Sequence, residues 1–126
     1  MATLAPTIVI IEDSPFFRVL FSRMLQKLWP AIQINAFEDG SGIIEWLDTC
    51  KPDIIFMDIH LPSENGIELT KRIKAICPET PIIIVTGHSF HEYGEAAQSA
   101  GADAFLQKDQ IEESRLRTIF DSLVFV

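Results

Sequence analysis

The sequence predicts an α/β fold in which a parallel β-sheet is covered by helices on both faces. Short apolar runs such as TIVII, IIFM and IIIVT recur along the chain, and stretches with helical spacing of apolar residues separate them. These runs lack the alternation of apolar and polar residues that marks a strand with one solvent-facing side. Right-handed crossovers between parallel strands place helices on both faces, so the alternation of five strands with five helices predicts one layered structure.

Length and composition are those of an ordinary globular protein. The 126 residues can bury a substantial core, so we assign 1–126 to a single domain. Hydrophobic residues make up 48% and charged residues 22%, which excludes disordered and fibrous classes. Cys50 and Cys77 show neither CxxC nor Cys/His spacing, which argues against a disulfide scaffold or a zinc site.

Charge and apolar run length bear on location and partners. A net charge of −8 opposes direct binding to nucleic acid or to an anionic membrane, so any DNA contact would belong to another chain or domain. The apolar runs are far too short to span a bilayer, and no basic stretch leads into an apolar one at the N-terminus. We therefore expect a cytoplasmic protein without membrane contact.

The first strand and helix have clear boundaries. Thr7–Ile11 is a β-branched run, and Ser14 followed by Pro15 suits the N-cap and first position of a helix. Trp29 and Pro30 end that helix. Its buried stripe is predicted from residues at helical spacing: Phe17, Leu20, Phe21, Met24 and Leu28.

Two more strands and two more helices follow. Residues 32–36 (IQINA) predict a weaker strand, and Ile54–Met57 predicts a fully buried one that ends at Asp58. A helix is predicted over about residues 67–76. The short helix between the two strands is marked by Ile43, Ile44 and Leu47.

The last third of the chain predicts the remaining elements. Ile82–Thr86 is the fourth strand, and the capping box Ser89-x-x-Glu92 opens a helix that ends near Gly101. Ala104–Gln107 is the fifth strand. Asp109-x-x-Glu112 is predicted to open the last helix, with Ile111, Ile119, Phe120 and Leu123 as its apolar residues.

Reactive side chains follow four of the predicted strands. They are Glu12 and Asp13 after the first, Asp58 after the third, Thr86 at the end of the fourth and Lys108 after the fifth. A lone aspartate at a strand end more often caps a turn. Parallel α/β sheets, however, form their sites at the carboxyl ends of the strands, so we expect these groups to converge at one rim.

The chemistry of that rim predicts phosphoryl transfer. Three carboxylates repel one another unless a cation joins them, and hard oxygen ligands with open water positions suit Mg²⁺. The complement of such a site is a phosphate, which Asp58 could attack as a nucleophile to give an aspartyl phosphate. Lys108 and Mg²⁺ would offset the charge on the phosphoryl oxygens, and Thr86 offers them a hydroxyl donor.

Over essentially its whole length the chain resembles the receiver domain of two-component response regulators, the CheY-like group with a flavodoxin-like fold. The resemblance is carried by Glu12-Asp13, Pro52-Asp53, Asp58 with Pro62 and Gly66, Thr86, Gly101-Ala102 and Phe105-Leu106-Gln107-Lys108. It implies a doubly wound five-stranded parallel sheet with strand order 2-1-3-4-5 and five helices on both faces. It also implies a protein that assists only its own phosphorylation and dephosphorylation and is not otherwise an enzyme.

The resemblance assigns roles to individual residues. Asp58 is similar to the phospho-accepting aspartate, Glu12, Asp13 and the backbone carbonyl of His60 to the magnesium ligands, Thr86 and Phe105 to the switch residues, and Lys108 to the phosphate-contacting lysine. The implied donor is a sensor histidine kinase or a histidine phosphotransfer protein. The implied output is a conformational change that controls a downstream domain or protein, and homodimerisation stays open.

One departure from the family pattern follows the lysine. The family usually has a proline there, joined through a cis bond, whereas this chain has Asp109. A cis bond to a residue other than proline costs about 2.5–4 kcal/mol, so we predict a trans Lys108–Asp109 peptide, with Asp109 capping the last helix. A Lys108 ammonium that points away from Asp58 would argue against phosphorylation.

Several residues have two interpretations. Phe16 and Val19 are ordinary exposed apolar residues or contacts for the phosphodonor protein. His60 and His88 are surface loop histidines or gates for water at the acyl phosphate. Phe105 is a plain core residue or an aromatic whose burial changes on switching.

Other functions are less consistent with the residues. A haloacid dehalogenase-type phosphatase requires a second acid two residues after its nucleophile, where this chain has His60. Neither GxGxxG nor GxxxxGK[ST] occurs, which disfavours nucleotide binding. The remaining alternative is a pseudo-receiver that acts only as a protein-interaction module without phosphorylation.

Overall fold

Strands and helices alternate through residues 5–125, the part of the chain described by the computed structural model. The strands are β1 (Thr7–Ile11), β2 (Gln33–Phe37), β3 (Ile54–Met57), β4 (Ile82–Thr86) and β5 (Ala104–Gln107). The helices are α1 (Pro15–Leu28), α2 (Ile43–Leu47), α3 (Gly66–Ile76), α4 (Phe90–Ala100) and α5 (Glu113–Leu123). None of the helices within this part of the chain has the length and apolar character needed to cross a membrane. The predicted domain of 1–126 also includes residues 1–4 and 126, which lie outside the described part.

All strand pairs are parallel, and their order is β2-β1-β3-β4-β5. The predicted doubly wound, flavodoxin-like architecture is therefore confirmed. Ile11 pairs with Met57 at the ends of β1 and β3. The residues that follow these two strands, Glu12 and Asp58, consequently leave the sheet at the same level, and the Asp58 amide donates to the Ile11 carbonyl at 3.0 Å.

The sheet separates two apolar layers, because successive residues of a strand point to opposite faces. Ile8 and Ile10 of β1 face the layer beneath α1 and α5, whereas Val9 and Ile11 face the layer beneath α2, α3 and α4. Every residue of β3 and β4 is buried, which explains why both strands are apolar apart from Thr86 at the end of β4. The sheet is thus packed by helices on both faces.

The buried stripe of α1 differs from the prediction at two residues, because Leu20 is exposed and Leu25, absent from the predicted stripe, is fully buried. Ser14 accepts from the Phe17 amide at 3.3 Å and Pro15 occupies the first turn, as predicted. Leu20, however, is 48% exposed, and the predicted burial is wrong there. The core-facing residues centre on Phe21, Leu25 and Leu28. Leu20 lies about 100° around the helix from Phe21, at the edge of this stripe.

The start of the last helix also differs from the prediction. The Lys108–Asp109 peptide is trans, as predicted. Asp109 does not cap α5, because it lies in a 3₁₀ turn over Lys108–Gln110 and the helix begins only at Glu113. Ile111 therefore precedes the helix, where it packs against the core. The turn lets the chain leave β5 with Lys108 still at the rim of the sheet.

Two local predictions of helix boundaries are confirmed on α4. The Ser89 side chain accepts from the Glu92 amide at 3.2 Å, and the Glu92 carboxylate accepts from the Ser89 amide at 3.3 Å. Gly101 ends the helix with φ of 107°, a left-handed conformation that favours glycine. The second strand lies one residue later than predicted, at Gln33–Phe37, because the Ile32 amide donates to the Trp29 carbonyl at 3.1 Å in the preceding turn.

Candidate functional site

Three carboxylates meet where β1 and β3 end. One oxygen from each of Glu12, Asp13 and Asp58 lies within 4.8 Å of the others. Glu12 is 2% exposed and Asp58 6%, whereas Asp13 is open to solvent. Because β1 and β3 are adjacent and in register, their ends deliver these acids to one point. The structure thus brings together the three acids that the sequence predicted to converge.

Lys108 places an ammonium group between two of these acids. Its Nζ lies 2.8 Å from Oε1 of Glu12 and 3.3 Å from Oδ2 of Asp58. Burial lowers the pKa of Lys108, but the hydrogen bond to Glu12 and the negative charge of Asp58 outweigh it, so the pKa is raised overall. Lys108 is therefore charged at neutral pH and points at Asp58, although the following peptide is trans.

Glu12 is the most strongly enclosed acid of the cluster. Burial raises its pKa, whereas hydrogen bonds from Lys108 and from the Ser14 amide lower it. The negative charge of Asp58 raises the pKa further, and the overall direction is upward. The Ser14 amide reaches Oε2 at 3.0 Å. Burial and a like charge make this carboxylate favour a cation nearby.

The donor set fits a hard divalent cation. The ligand atoms of Glu12, Asp13 and Asp58 are all carboxylate oxygens, the type that Mg²⁺ prefers. Asp13 is exposed, so one side of the cluster is accessible to water, and Mg²⁺ commonly keeps several water ligands. His60 is exposed two residues beyond Asp58 and forms an isolated bridge with Asn65. The role of its carbonyl as a metal ligand stays a prediction.

Backbone contacts hold Asp58 in place. Its Oδ1 accepts from the Ile59 amide at 2.8 Å, and the Gly66 amide donates to the Ile59 carbonyl at 2.7 Å. Gly66 packs so closely against the Asp58 carbonyl that a Cβ atom at this position would overlap it. The glycine that carries part of the family resemblance is therefore required by the approach of α3 to the backbone of the acidic residue.

Thr86 is fully buried at the end of β4, the strand beside β3. Its Oγ1 accepts from the His88 amide at 3.4 Å. Met57 pairs with Ile84, so Thr86 lies one residue further along the sheet than Asp58. This places the hydroxyl at the same rim as the acidic cluster.

Three rings pack together beside this rim. The centroids of His60 and His88 are 4.4 Å apart, and Tyr93 of α4 lies 5.5 Å from His60 and 5.2 Å from His88. The two histidines therefore belong to one aromatic cluster joining the loops after β3 and β4. The sequence placed both histidines in loops, but it did not indicate Tyr93 as their neighbour.

Phe105 is partly buried and lies edge-on to Phe90 at 5.5 Å. A Cβ atom at Gly94 would overlap the Phe90 ring, so the glycine in α4 makes room for that ring. Phe90, Phe105 and Arg115 line both of two neighbouring surface cavities of about 450 and 230 Å³. The sequence did not indicate the contact of Phe90 with Phe105, because Phe90 is there only the residue after the Ser89 cap.

Phe16 and Val19 lie outside the acidic cluster, on the exposed face of α1. Phe16 is 78% exposed and Val19 49%, and with Leu20 they line a surface depression of about 410 Å³. Pro15 and Arg23 complete its lining. This apolar surface, defined by Pro15, Phe16, Val19, Leu20 and Arg23, is called the α1 patch below.

Two residues of α1 that the sequence did not assign to the site contact it. Arg18 Nη1 donates to the Glu12 carbonyl at 2.6 Å, which ties the start of the helix to the acidic loop. The Phe17 ring centroid lies 4.6 Å from Lys108 Nζ. Helical spacing assigns Phe17 only to the buried stripe of the helix. Its spacing after Glu12-Asp13 gave no signal of a contact with a lysine distant in the sequence.

Comparisons with known proteins agree with this arrangement. A family model described as the response regulator receiver domain matches residues 8–121. The response regulatory protein VC_A0850 of Vibrio cholerae is 30% identical over 118 residues, which covers 93% of this chain and 44% of that protein. DegU of Brevibacillus brevis, a transcriptional regulatory protein, is 29% identical over 113 residues, covering 89% of this chain and 48% of that protein. The chain spans about half the length of the curated relatives it matches.

Solved structures share the fold. The receiver domain of the sensor histidine kinase PA1611 from Pseudomonas aeruginosa superposes with a TM-score of 0.83 at 24% identity, covering 95% of this chain and 98% of that one. That crystal structure has a magnesium ion coordinated in its active-site cleft. At this identity the match shows that the two chains have the same fold.

Proposed function

This chain belongs to the response regulator receiver domain family, and from that premise we propose that it accepts a phosphoryl group on Asp58 and changes conformation in response. The observation that carries the proposal is the enclosed Asp58 carboxylate, with Lys108 Nζ at 3.3 Å and two further acids within 4.8 Å. An aspartate that only capped a turn would need neither a lysine ammonium beside it nor a cluster of further acids. The arrangement has a nucleophile, a fixed cation and a set of oxygen ligands at one point.

The donor in this proposal is a histidine-phosphorylated protein, a sensor histidine kinase or a histidine phosphotransfer protein. An Asp58 carboxylate oxygen attacks phosphorus, the bond from phosphorus to the donor's imidazole nitrogen breaks, and that nitrogen takes a proton. Lys108 Nζ lies close enough to Asp58 to contact a phosphoryl oxygen on it. A hydroxyl that accepts one hydrogen bond can still donate its proton, so Thr86 can bond to the same group.

Magnesium is part of the proposal because three carboxylates need a counter-cation. Glu12, Asp13, Asp58 and the carbonyl of His60 would hold it. When bound, Mg²⁺ offsets the negative charge of the phosphoryl oxygens. Lys108 alone offers one positive charge, which is less than the charge of the acids around it.

The phosphorylated site would control an output through Thr86 and Phe105. Thr86 is the last residue of β4 and Phe105 lies in the neighbouring strand β5, so a shift of the Thr86 hydroxyl toward the phosphoryl group alters the packing beside Phe105. The output belongs to a downstream domain or protein, and the chain's own chemistry is limited to gaining and losing its phosphoryl group.

The rings of His60 and His88 would limit water access to the acyl phosphate, so His88→Ala should shorten the lifetime of the acyl phosphate.

Intact-mass measurement after incubation with acetyl phosphate and Mg²⁺ tests the proposal. We expect the parent protein to gain the mass of one phosphoryl group, and the gain to disappear with chelator or with Asp58→Asn. Asp53→Asn is the matched control, because Asp53 lies at the opposite end of β3 and accepts from the Thr7 amide at 2.8 Å. A parent protein that stays unmodified, both with acetyl phosphate and with a histidine-phosphorylated donor, would favour the pseudo-receiver instead.

A further inference from the structure

The ammonium of Lys108 is held from three directions. Glu12 and Asp58 contact it at 2.8 and 3.3 Å, and the face of the Phe17 ring lies 4.6 Å away. An aromatic face attracts a cation through the quadrupole of the ring, most strongly where water is excluded. The Lys108 side chain is 23% exposed, so the contact is partly shielded from water.

The Phe17 ring is itself held by the core. It stacks on Phe21 with centroids 5.5 Å apart and an interplanar angle of 13°. Phe21 is 1% exposed and packs edge-on against Phe56 at 4.9 Å. Phe56 lies in β3, the strand directly before Asp58. A continuous series of packed aromatic rings therefore connects β3, which leads into the acceptor residue, to the ring beneath the ammonium.

Apart from the two carboxylates and the ring, the local backbone adds little restraint on the direction of Lys108. Lys108 begins a 3₁₀ turn whose N-cap residue, Gln107, makes no side-chain cap, and the following Asp109 is exposed. Lysine has four rotatable side-chain bonds and loses much rotamer entropy when it is ordered. Without the ring, the carboxylates alone would have to select the one rotamer that reaches both of them.

We propose that Phe17 is a positioning residue that acts through Lys108, holding its ammonium where it contacts the phosphoryl group on Asp58. The inference rests on the proposed function. It differs from a purely structural role for Phe17, because it predicts that the effect of removing the ring depends on the presence of Lys108.

The test is a double-mutant cycle on the rate of Asp58 phosphorylation by acetyl phosphate in saturating Mg²⁺. Phe17→Leu removes the aromatic face but keeps an apolar side chain, and we expect a rate lower by about 3- to 10-fold, as for the loss of a partly desolvated cation–π contact. Phe17→Trp keeps an aromatic face and should stay close to the parent. In a Lys108→Met background, Phe17→Leu should have no further effect, because the group it positions is gone.

Two results in this cycle would overturn the inference. One is an unchanged rate in Phe17→Leu, and the other is an equal loss in the presence and absence of Lys108, which would indicate a general structural effect. Phe125→Leu is the matched control, since Phe125 also packs on aromatic core residues, Trp29 and Phe120, but has no contact with Lys108. Phe17→Met replaces Phe17→Leu if thermal melting shows that the leucine variant is unfolded.

A second readout does not depend on phosphorylation. Trace acetylation with acetic anhydride in chelator, followed by peptide mass spectrometry, measures the reactivity of each lysine. Loss of the ring should make Lys108 about 3- to 10-fold more reactive in Phe17→Leu, because the ring no longer covers the amino group and the reagent reaches it more easily. Lys71, exposed on α3, is the internal control. Unchanged Lys108 labelling overturns the inference, whereas a parent protein that is never phosphorylated contradicts only the proposed function.

Discussion

Gly66 shows how a single residue without a side chain determines the position of Asp58. The first residue of α3 lies directly against the Asp58 carbonyl, and its amide donates to the Ile59 carbonyl at 2.7 Å. The atoms that a Cβ would meet are backbone atoms of a buried segment, which cannot move aside as a flexible side chain can. The close approach therefore links the start of α3 to the acidic residue.

Gly66→Ala should destabilise the fold and displace Asp58. We expect a loss of about 1–3 kcal/mol in the free energy of unfolding, the range for overpacking in a tight core, measured by urea denaturation. Phosphorylation by acetyl phosphate should also slow, because the Asp58 backbone must shift. Gly87→Ala is the matched control, since a Cβ there meets open space, and it should change stability by less than about 0.5 kcal/mol. Equal stabilities for the two variants would contradict this account of Gly66.

At the scale of elements, α1 presents three different surfaces. Phe21, Leu25 and Leu28 face the core, Phe17 and Arg18 reach the acidic loop and Lys108, and the α1 patch faces solvent. The patch begins within the first turn of the helix, next to the loop that carries Glu12 and Asp13. A donor protein bound there would bring its phosphorylated histidine to the acidic cluster.

Phe16→Ala should therefore slow phosphotransfer from protein donors but not from small-molecule donors. We expect kcat/KM for transfer from a histidine-phosphorylated donor protein to fall about 10-fold, as for a buried aromatic at an interface. The rate with acetyl phosphate should stay unchanged, because Phe16 lies outside the acidic cluster. Ile76→Ala is the control, since Ile76 is 47% exposed on α3. Equal protein-donor rates in parent and Phe16→Ala would remove Phe16 from the docking surface.

The fourth helix illustrates a different property of elements. A glycine inside a helix lowers its stability by about 1 kcal/mol relative to alanine, and Gly94 could be interpreted as a source of mobility. The structure gives a packing reason instead, because the Phe90 ring occupies the space of the missing side chain and lies against Phe105. The position of that ring ties α4 to β5.

At the scale of the whole molecule, the sheet concentrates negative charge at one rim of a protein whose net charge is already −8. Glu12 is the acid whose burial raises its pKa above the usual 4.5. Between 4.5 and the higher folded pKa, the folded protein holds a proton that the unfolded chain has released. The contribution of Glu12 to stability is thus present at low pH and is lost as the pH rises through the folded pKa.

The variant Glu12→Gln tests the direction in which the stability contribution of Glu12 changes with pH. In chelator, we expect the free energy of unfolding of the parent, relative to that of the variant, to decrease as the pH rises from 4.5 through the folded pKa of Glu12. Lys108 stays protonated in this window, because its own pKa is raised above 10.5. The measurement is urea denaturation of both proteins at a series of pH values. A difference that stays level or increases with pH would contradict the enclosed, cation-dependent state of Glu12.

Much of the site could be predicted because it depends on where strands end. The apolar runs before Glu12, Asp58 and Thr86 are local features, and a parallel sheet brings the residues after such runs to one rim whatever the details of packing. The trans peptide before Asp109 could be predicted because it depends only on the chemistry of one bond. The sequence by itself therefore determined the fold class and the membership of the acidic cluster.

Only the tertiary structure decided how side chains from distant elements meet. Helical spacing alone does not fix the rotation of α1 about its own axis relative to the sheet. Leu20 is therefore predicted to be buried, whereas it is 48% exposed. The contact of Phe17 with Lys108, and the fit of Gly66 against Asp58, join residues that no local pattern relates. Periodicity specifies which residues are apolar, whereas the dense packing of two helical layers on one sheet determines which atoms touch.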